Sequence, residues 1–90
     1  MVKHKDNPSS IQRESLTVQR GLILYNDDVN TFDFVIDTLI DVCNHEPEQA
    51  EQCAMITHFK GKCNVKTGDY FELKPPYDEM TLRGLTVSIE

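Results

Sequence analysis

The sequence lacks tryptophan, has only four glycines and four prolines, and has no apolar run near the length of a membrane span. A transmembrane helix needs about 20 mostly apolar residues, so no membrane association is expected. Residues 1–20 are polar and lack the apolar centre of a signal peptide, which predicts a cytoplasmic protein. The cysteines form no CxxC pair, which favours small buried side chains in a reducing compartment: Cys43, Cys53 and Cys63.

Positive charge is scarce, because nine Lys and Arg residues stand against 15 Asp and Glu residues, for a net charge of -6. A negative field repels phosphate backbones, and no basic stripe with interleaved aromatic residues offsets it. No nucleic-acid partner is therefore expected. Ninety residues suffice for one domain with a modest core. Residues 1–20 hold few apolar side chains, so we expect a flexible N-terminal tail before a core domain over 21–90.

A short apolar run, a polar turn and an amphipathic helix form the clearest pattern in the chain. Residues 22–25 predict a buried strand. Asn26-Asp27-Asp28 predicts a turn, because such side chains bond to nearby backbone groups. The apolar spacing over 32–43 predicts a helix, with Asn30 as its N-cap and Asp33 completing a capping box.

A second helix is expected to begin at Pro47 and to end at Gly61, because proline suits the first helical position and glycine suits the left-handed stop. Its small residues share one face, and three larger side chains are expected to widen the buried surface: Met55, Ile56 and Phe59. The weak alternation over 62–66 predicts a short strand before a turn.

The last third of the chain predicts a helix and a strand. Apolar spacing over 70–83 favours the helix, but Pro75-Pro76 should delay its start until about Pro75, since an interior proline costs about 3 kcal/mol. Clean alternation over 85–89 predicts a final strand with one buried face. The order β-α-α-β-α-β predicts an α+β fold, with a small three-stranded sheet packed against three helices.

The turn at Asn26-Asp27-Asp28 allows several interpretations. Alone, it is a solvated turn, although its carboxylates and amide beside an apolar helix would also suit an ammonium group. A small enzyme using His58 with Asp27 is a weaker alternative, because no nucleophile motif or phosphate loop accompanies them. Zinc is disfavoured, since Cys53 and His58 would project about 140° apart on a helix. We therefore expect that the protein is not an enzyme and that it binds no metal and no cofactor.

Three segments, in this order, resemble the ClpS adaptor family: Leu24-Tyr25-Asn26-Asp27-Asp28, Phe34-Val35-Ile36-Asp37 and His58-Phe59-Lys60-Gly61-Lys62-Cys63. The resemblance implies an adaptor of the bacterial N-end rule, which binds destabilising N-terminal residues of substrate proteins. Its other partner would be the N-domain of a ClpA- or ClpC-type AAA+ unfoldase that works with the ClpP peptidase. The adaptor would be a monomer. The alternative is an interaction module of the same fold that docks on a partner without reading N-termini.

The resemblance also implies roles for particular residues. The α-amino group of the substrate would be bound by three polar side chains, Asn26, Asp27 and His58, and Asp28 would support their loop. The first side chain of the substrate would enter a pocket lined by Asn30, Phe32, Val35, Ala54, Thr57 and Leu85. Phe32 stands where the family often has methionine, Ala54 where a larger apolar residue is common, and Thr57 where valine is usual. These departures leave the preferred first residue open.

Overall fold

A computed structural model describes residues 16–90, which contain three strands and three complete helices. They are β1 (Arg20–Tyr25), α1 (Phe32–Cys43), α2 (Pro47–Lys60), β2 (Lys62–Gly68), α3 (Tyr70–Leu82) and β3 (Thr86–Ile89). The expected α+β class and the order β-α-α-β-α-β are confirmed. Of the predicted tail, residues 1–15 lie outside the described residues, and Arg20 already belongs to β1.

The sheet places β1 in the centre, with β2 and β3 antiparallel on either side. Leu22 and Leu24 of β1 are fully buried, and alternation directs Tyr25 to the opposite face. The register against β2 shifts beside Leu22, and this irregularity leaves Val65 as an extra residue that is only 5% exposed. The buried side chains of the central strand therefore extend almost to the polar turn that follows Tyr25.

The N-cap of α1 is Thr31, so the prediction of Asn30 as the cap is wrong. Thr31 Oγ1 accepts a hydrogen bond from the Phe34 N–H at 3.1 Å. Asn and Thr are both good caps, and adjacent candidates cannot be ranked by residue type alone. The expected end of α1 is confirmed at Asn44, whose φ of 58° is left-handed. Asn30 lies outside the helix, and its side chain makes hydrogen bonds to other residues.

The bounds of α2 match the prediction, but its expected buried surface does not. Pro47 is the first residue, and Gly61 ends the helix with a φ of 95°. The side chains of Met55, Ile56 and Phe59 are 49%, 41% and 74% exposed, so the prediction that they are buried is wrong. The buried stripe is narrow and consists of small residues: Ala50, Ala54 and Thr57. Other elements cover only that stripe, which leaves the larger side chains of α2 outside the core.

The third helix begins at Tyr70 and contains both prolines, so the predicted start near Pro75 is wrong. A complete capping box explains the early start. Asp69 Oδ1 accepts from the Glu72 N–H and Glu72 Oε1 accepts from the Asp69 N–H, each at 2.8 Å. Leu73 and Met80 are fully buried on either side of the prolines. Capping and burial therefore outweigh the two N–H groups that the prolines lack.

The core joins the sheet to all three helices. Its buried members are Leu22, Leu24, Leu39, Cys43, Ala50, Val65, Leu73, Met80 and Leu85. All three cysteines are free thiols; Cys43 is buried and the other two are half-buried. Burial raises the pKa of the Cys43 thiol to about 11. No helix within residues 16–90 is long and apolar enough to cross a membrane.

Candidate functional site

A pocket of about 490 Å³ opens where the end of β1 meets the start of α1, one face of α2 and the residue before β3. The structure brings all ten residues proposed from the sequence to this pocket: Asn26, Asp27, Asp28, Asn30, Phe32, Val35, Ala54, Thr57, His58 and Leu85. Leu24 and Tyr25 also line it. Sequence reasoning missed these two, although their position directly before Asn26 in the strand was a usable signal.

The deep part of the pocket is apolar and belongs to the core. Leu24, Ala54 and Leu85 are each less than 5% exposed, although they come from β1, α2 and the turn before β3. Phe32 is 42% exposed and belongs to the outer part of the pocket. Ala54 has the smallest side chain of this set, so α2 leaves free volume at this position. The result is a recess that suits a bulky apolar group.

Thr57 contributes less polarity to this recess than its residue type suggests. Its hydroxyl donates to the Cys53 carbonyl oxygen at 2.7 Å, one turn earlier in α2. A threonine hydroxyl has a single hydrogen to donate, and this bond uses it. The side chain is 5% exposed. Thr57 therefore resembles valine more closely here than its hydroxyl alone would indicate.

The Asp27 carboxylate is held by three hydrogen bonds from its own loop. Oδ1 accepts from the backbone N–H groups of Val29 and Asn30, both at 2.8 Å, and Oδ2 accepts from Asn30 Nδ2 at 2.9 Å. Partial burial raises the pKa of Asp27, but these bonds together outweigh it and hold the pKa below its usual value. An ionised carboxylate offers about four acceptor positions, so one remains on Oδ2.

Two hydrogen bonds to residues far away in the sequence fix the loop against the rest of the fold. The Asn26 N–H donates to the carbonyl oxygen of Gly61 at 2.9 Å, at the end of the helix that carries His58. Asn30 Nδ2 donates to the carbonyl oxygen of Gly84 at 3.0 Å. The side chains of Asn26 and Asp28 are exposed, and the His58 ring contacts Phe59 edge-on with 4.8 Å between centroids. The mouth of the pocket is thus polar, acidic and anchored on two sides.

The arrangement suits a cation attached to an apolar group. Carboxylate and amide oxygens can accept hydrogen bonds from an ammonium group. The recess can hold an apolar group that is attached next to that ammonium group. Among residues 16–90, no group of three or more His, Cys, Asp or Glu side chains could hold a metal ion. The fold and the pocket define a class of protein: a small α+β domain whose pocket joins acceptors for a cation to an apolar recess.

Comparison with known proteins gives the family. Residues 19–87 match the family described as ATP-dependent Clp protease adaptor protein ClpS, and the chain belongs to this family of adaptors, which are not enzymes. It is 36% identical over 55 residues to the ATP-dependent Clp protease adapter protein ClpS of Nitratidesulfovibrio vulgaris, covering 59% of this chain and 55% of that protein. For the protein of the same name from Escherichia coli, the identity is 38% over 55 residues, covering 59% and 52%.

The chain therefore spans about half the length of the relatives it matches in sequence. A solved structure shows the same fold over more of the molecule. Agrobacterium tumefaciens ClpS2 bound to L-phenylalaninamide superposes with a TM-score of 0.68 and 22% identity, covering 80% of this chain and 94% of that one. This similarity supports the β-α-α-β-α-β architecture described above.

Proposed function

We propose that this chain is an adaptor that binds a substrate protein by its N-terminal residue and delivers it to a Clp-type AAA+ unfoldase and the ClpP peptidase. One observation carries the proposal. The polar side chains Asn26, Asp27 and His58 border the same pocket as the apolar recess. In the first residue of a protein, the free ammonium group and the side chain are bonded to the same α-carbon. The ammonium group therefore matches the polar mouth of the pocket, and the side chain matches the apolar recess.

The polar mouth supports recognition of the α-amino group. That group has a pKa near 8 and is mostly charged at neutral pH. Asp27 has an acceptor position left on Oδ2, and its lowered pKa keeps it ionised. Hydrogen bonds to charged groups contribute roughly 1.5–3 kcal/mol each, about twice the value for neutral pairs. An acetylated N-terminus would lose both the charge and most of these donors.

The apolar recess supports recognition of a bulky first side chain. Burying a Leu or Phe side chain contributes about 1.5–3 kcal/mol. Together with the amine contacts, this gives roughly micromolar affinity once the cost of association is subtracted. The related ClpS2 was solved with L-phenylalaninamide, which has a free amine and a phenyl side chain. A ligand of that kind combines the two groups that we propose this pocket to bind.

The pocket of this chain also suggests which first residues it prefers. Ala54 leaves volume deep in the recess, whereas the ring of Phe32 stands in its outer part. A ring near the opening leaves little room for a side chain that branches close to its backbone. We therefore expect Phe, Tyr, Trp and Leu to bind, and Val and Ile to be rejected.

The delivery step is supported by the family, which is described as an adaptor of an ATP-dependent Clp protease. The unfoldase partner would be of the ClpA or ClpC type, contacted through its N-domain, and the adaptor would act as a monomer in the cytoplasm. Residues 1–20 would engage the unfoldase during delivery. No cofactor takes part in this proposal, because the adaptor only holds and transfers its substrate.

A panel of peptides tests the proposal. Peptides of one sequence that begin with Phe, Tyr, Leu, Val or Ala are titrated against the full chain. We expect micromolar binding for the first three and weaker binding, by about tenfold or more, for Val and Ala. A degradation assay with the unfoldase and peptidase should follow the same order. Affinity that is independent of the first residue would favour the alternative, a module of the same fold that docks on a partner without reading N-termini.

A further inference from the structure

The side chain of Asn30 joins the Asp27 loop to Gly84, which lies 54 residues after Asn30 in the chain. Its Nδ2 donates to Asp27 Oδ2 at 2.9 Å and to the Gly84 carbonyl oxygen at 3.0 Å. An asparagine amide has two hydrogens to donate, so both are used. Asn30 lines the pocket, as the family resemblance implied, and both hydrogens of its amide are bonded to polar partners.

We propose that Asn30 is a positioning residue, which orients the Asp27 carboxylate for the substrate's α-amino group and ties the Asp27 loop to the segment that carries Leu85. The inference rests on the proposed function and deepens it. Asn30 acts through Asp27 and Gly84 rather than by binding the amine itself. It would therefore set the distance between the amine site and the apolar recess.

The contact with Asp27 restrains a torsion that would otherwise be loose. Rotation about the bond to a carboxylate group is broad, so a free Asp27 would sample many orientations. Backbone N–H groups hold Oδ1, and Asn30 Nδ2 is the donor that holds Oδ2. Oδ2 is also the atom with an acceptor position left for a ligand. Removing the Asn30 amide would leave only Oδ1 held, so the oxygen that the ammonium group needs would be less well ordered, and binding would have to order it again.

The contact with Gly84 uses a rigid anchor. Gly84 has a φ of 88°, a left-handed value that favours glycine, and its N–H donates to the Thr81 carbonyl oxygen at 3.0 Å. The next N–H, of Leu85, donates to the Met80 carbonyl oxygen at 3.0 Å. Leu85 is 4% exposed and lines the recess. The carbonyl that accepts from Asn30 is therefore held by the same turn that places Leu85.

The neighbouring residue provides a matched control. Thr31 also makes one side-chain hydrogen bond in this segment, as the N-cap of α1, and that bond does not involve Asp27. Thr31→Ala therefore removes a stabilising contact from the same loop and leaves the carboxylate restrained. Asn30→Ala removes the hydrogen bond to Oδ2 and leaves the two backbone bonds to Oδ1. Asn30→Leu removes both side-chain donors while keeping a side chain of similar size and adding no charge.

The test measures L-phenylalaninamide binding by NMR titration for the full chain, these three variants, and Asp27→Ala with and without Asn30→Ala. We expect Asn30→Ala and Asn30→Leu to weaken binding by about tenfold, and Thr31→Ala by less than about twofold. In the Asp27→Ala background, Asn30→Ala should weaken binding by at most about threefold, because the carboxylate that it orients is gone and only its contact with Gly84 is left to lose. Thermal unfolding checks that each variant is folded.

A second readout does not depend on ligand. The carboxyl carbon of Asp27 is titrated in the wild-type chain and in Asn30→Ala, and its pKa should rise in the variant because a hydrogen bond to the charged form is lost. An unchanged Asp27 titration, or an equal loss of affinity with and without Asp27, would overturn the positioning role. If Asn30→Ala does not fold, Asn30→Leu carries the same binding test. A wild-type chain that does not bind L-phenylalaninamide would instead overturn the proposed function.

Discussion

The polar mouth and the apolar recess of one pocket are held in place by different forces. The loop over 26–30 is fixed by hydrogen bonds, of which the contacts to Gly61 and Gly84 reach distant parts of the chain. The recess is fixed by burial, because Leu24 and Leu85 also belong to the core. Substitutions in the mouth should therefore change binding with little effect on folding, whereas substitutions in the recess should change both.

The largest expected effect is on stability and concerns the recess. Leu24→Ala should lower the free energy of unfolding by about 2–5 kcal/mol, because it removes a fully buried side chain and leaves a cavity. Met55→Ala, at a side chain that is 49% exposed, should cost less than about 1 kcal/mol. Urea unfolding measures both. Similar losses for the two variants would mean that the recess is not part of the core.

The second prediction concerns the two carboxylates of the mouth. Asp27→Ala should weaken binding of a free N-terminus by at least tenfold more than Asp28→Ala, since only Asp27 is held by three hydrogen bonds within the loop. Calorimetric titration with a peptide beginning with Phe gives the two affinities. A larger loss for Asp28→Ala would show that the contacts to the amine are assigned to the wrong residue.

The third prediction fills the recess without touching the mouth. Ala54→Met should weaken binding of peptides that begin with Phe by about tenfold, because the added side chain occupies volume in the recess. Gln52→Met, on the exposed face of the same helix, serves as the control and should leave the affinity unchanged. Equal affinities for both variants would place the first side chain of the substrate elsewhere.

The smallest expected effect is the response of the mouth to acid. Because the pKa of Asp27 is below its usual value in the folded chain, its stabilising contribution is present above the unfolded pKa of about 3.9. It is lost as the pH falls through the lowered folded value. The difference in stability between the wild-type chain and Asp27→Asn should be constant from about pH 5 to 7 and shrink in stronger acid. A difference that grows on acidification would show that folding raises the pKa of Asp27 and does not lower it.

The sequence predicted some features of the fold and the pocket better than others. The order of the elements followed from apolar spacing and is confirmed by the structure. The pocket residues followed from resemblance to a family, and the structure brings them to one pocket. Local competition was harder to resolve. Asn30 and Thr31 are both suitable caps, and only the distant carbonyl of Gly84 reveals why Asn30 is used elsewhere.

The errors in the two later helices have a common cause. Their apolar residues were judged by type, whereas burial depends on which faces other elements cover. Phe59 is 74% exposed because the covered stripe of α2 is narrow. The third helix runs through Pro75 and Pro76 because the capping box at Asp69 and the buried side chains around the prolines stabilise it. Neither long-range packing nor its balance against proline is visible in the local sequence.

The central claim is that one pocket reads a free amine and an apolar side chain together. The most direct measurement is the affinity of one peptide beginning with Phe before and after acetylation of its N-terminus. Acetylation removes at least two charged hydrogen bonds, so binding should weaken by about 100-fold or more while the side chain is unchanged. Equal affinity of the two peptides would contradict the claim and leave a domain that binds without reading N-termini.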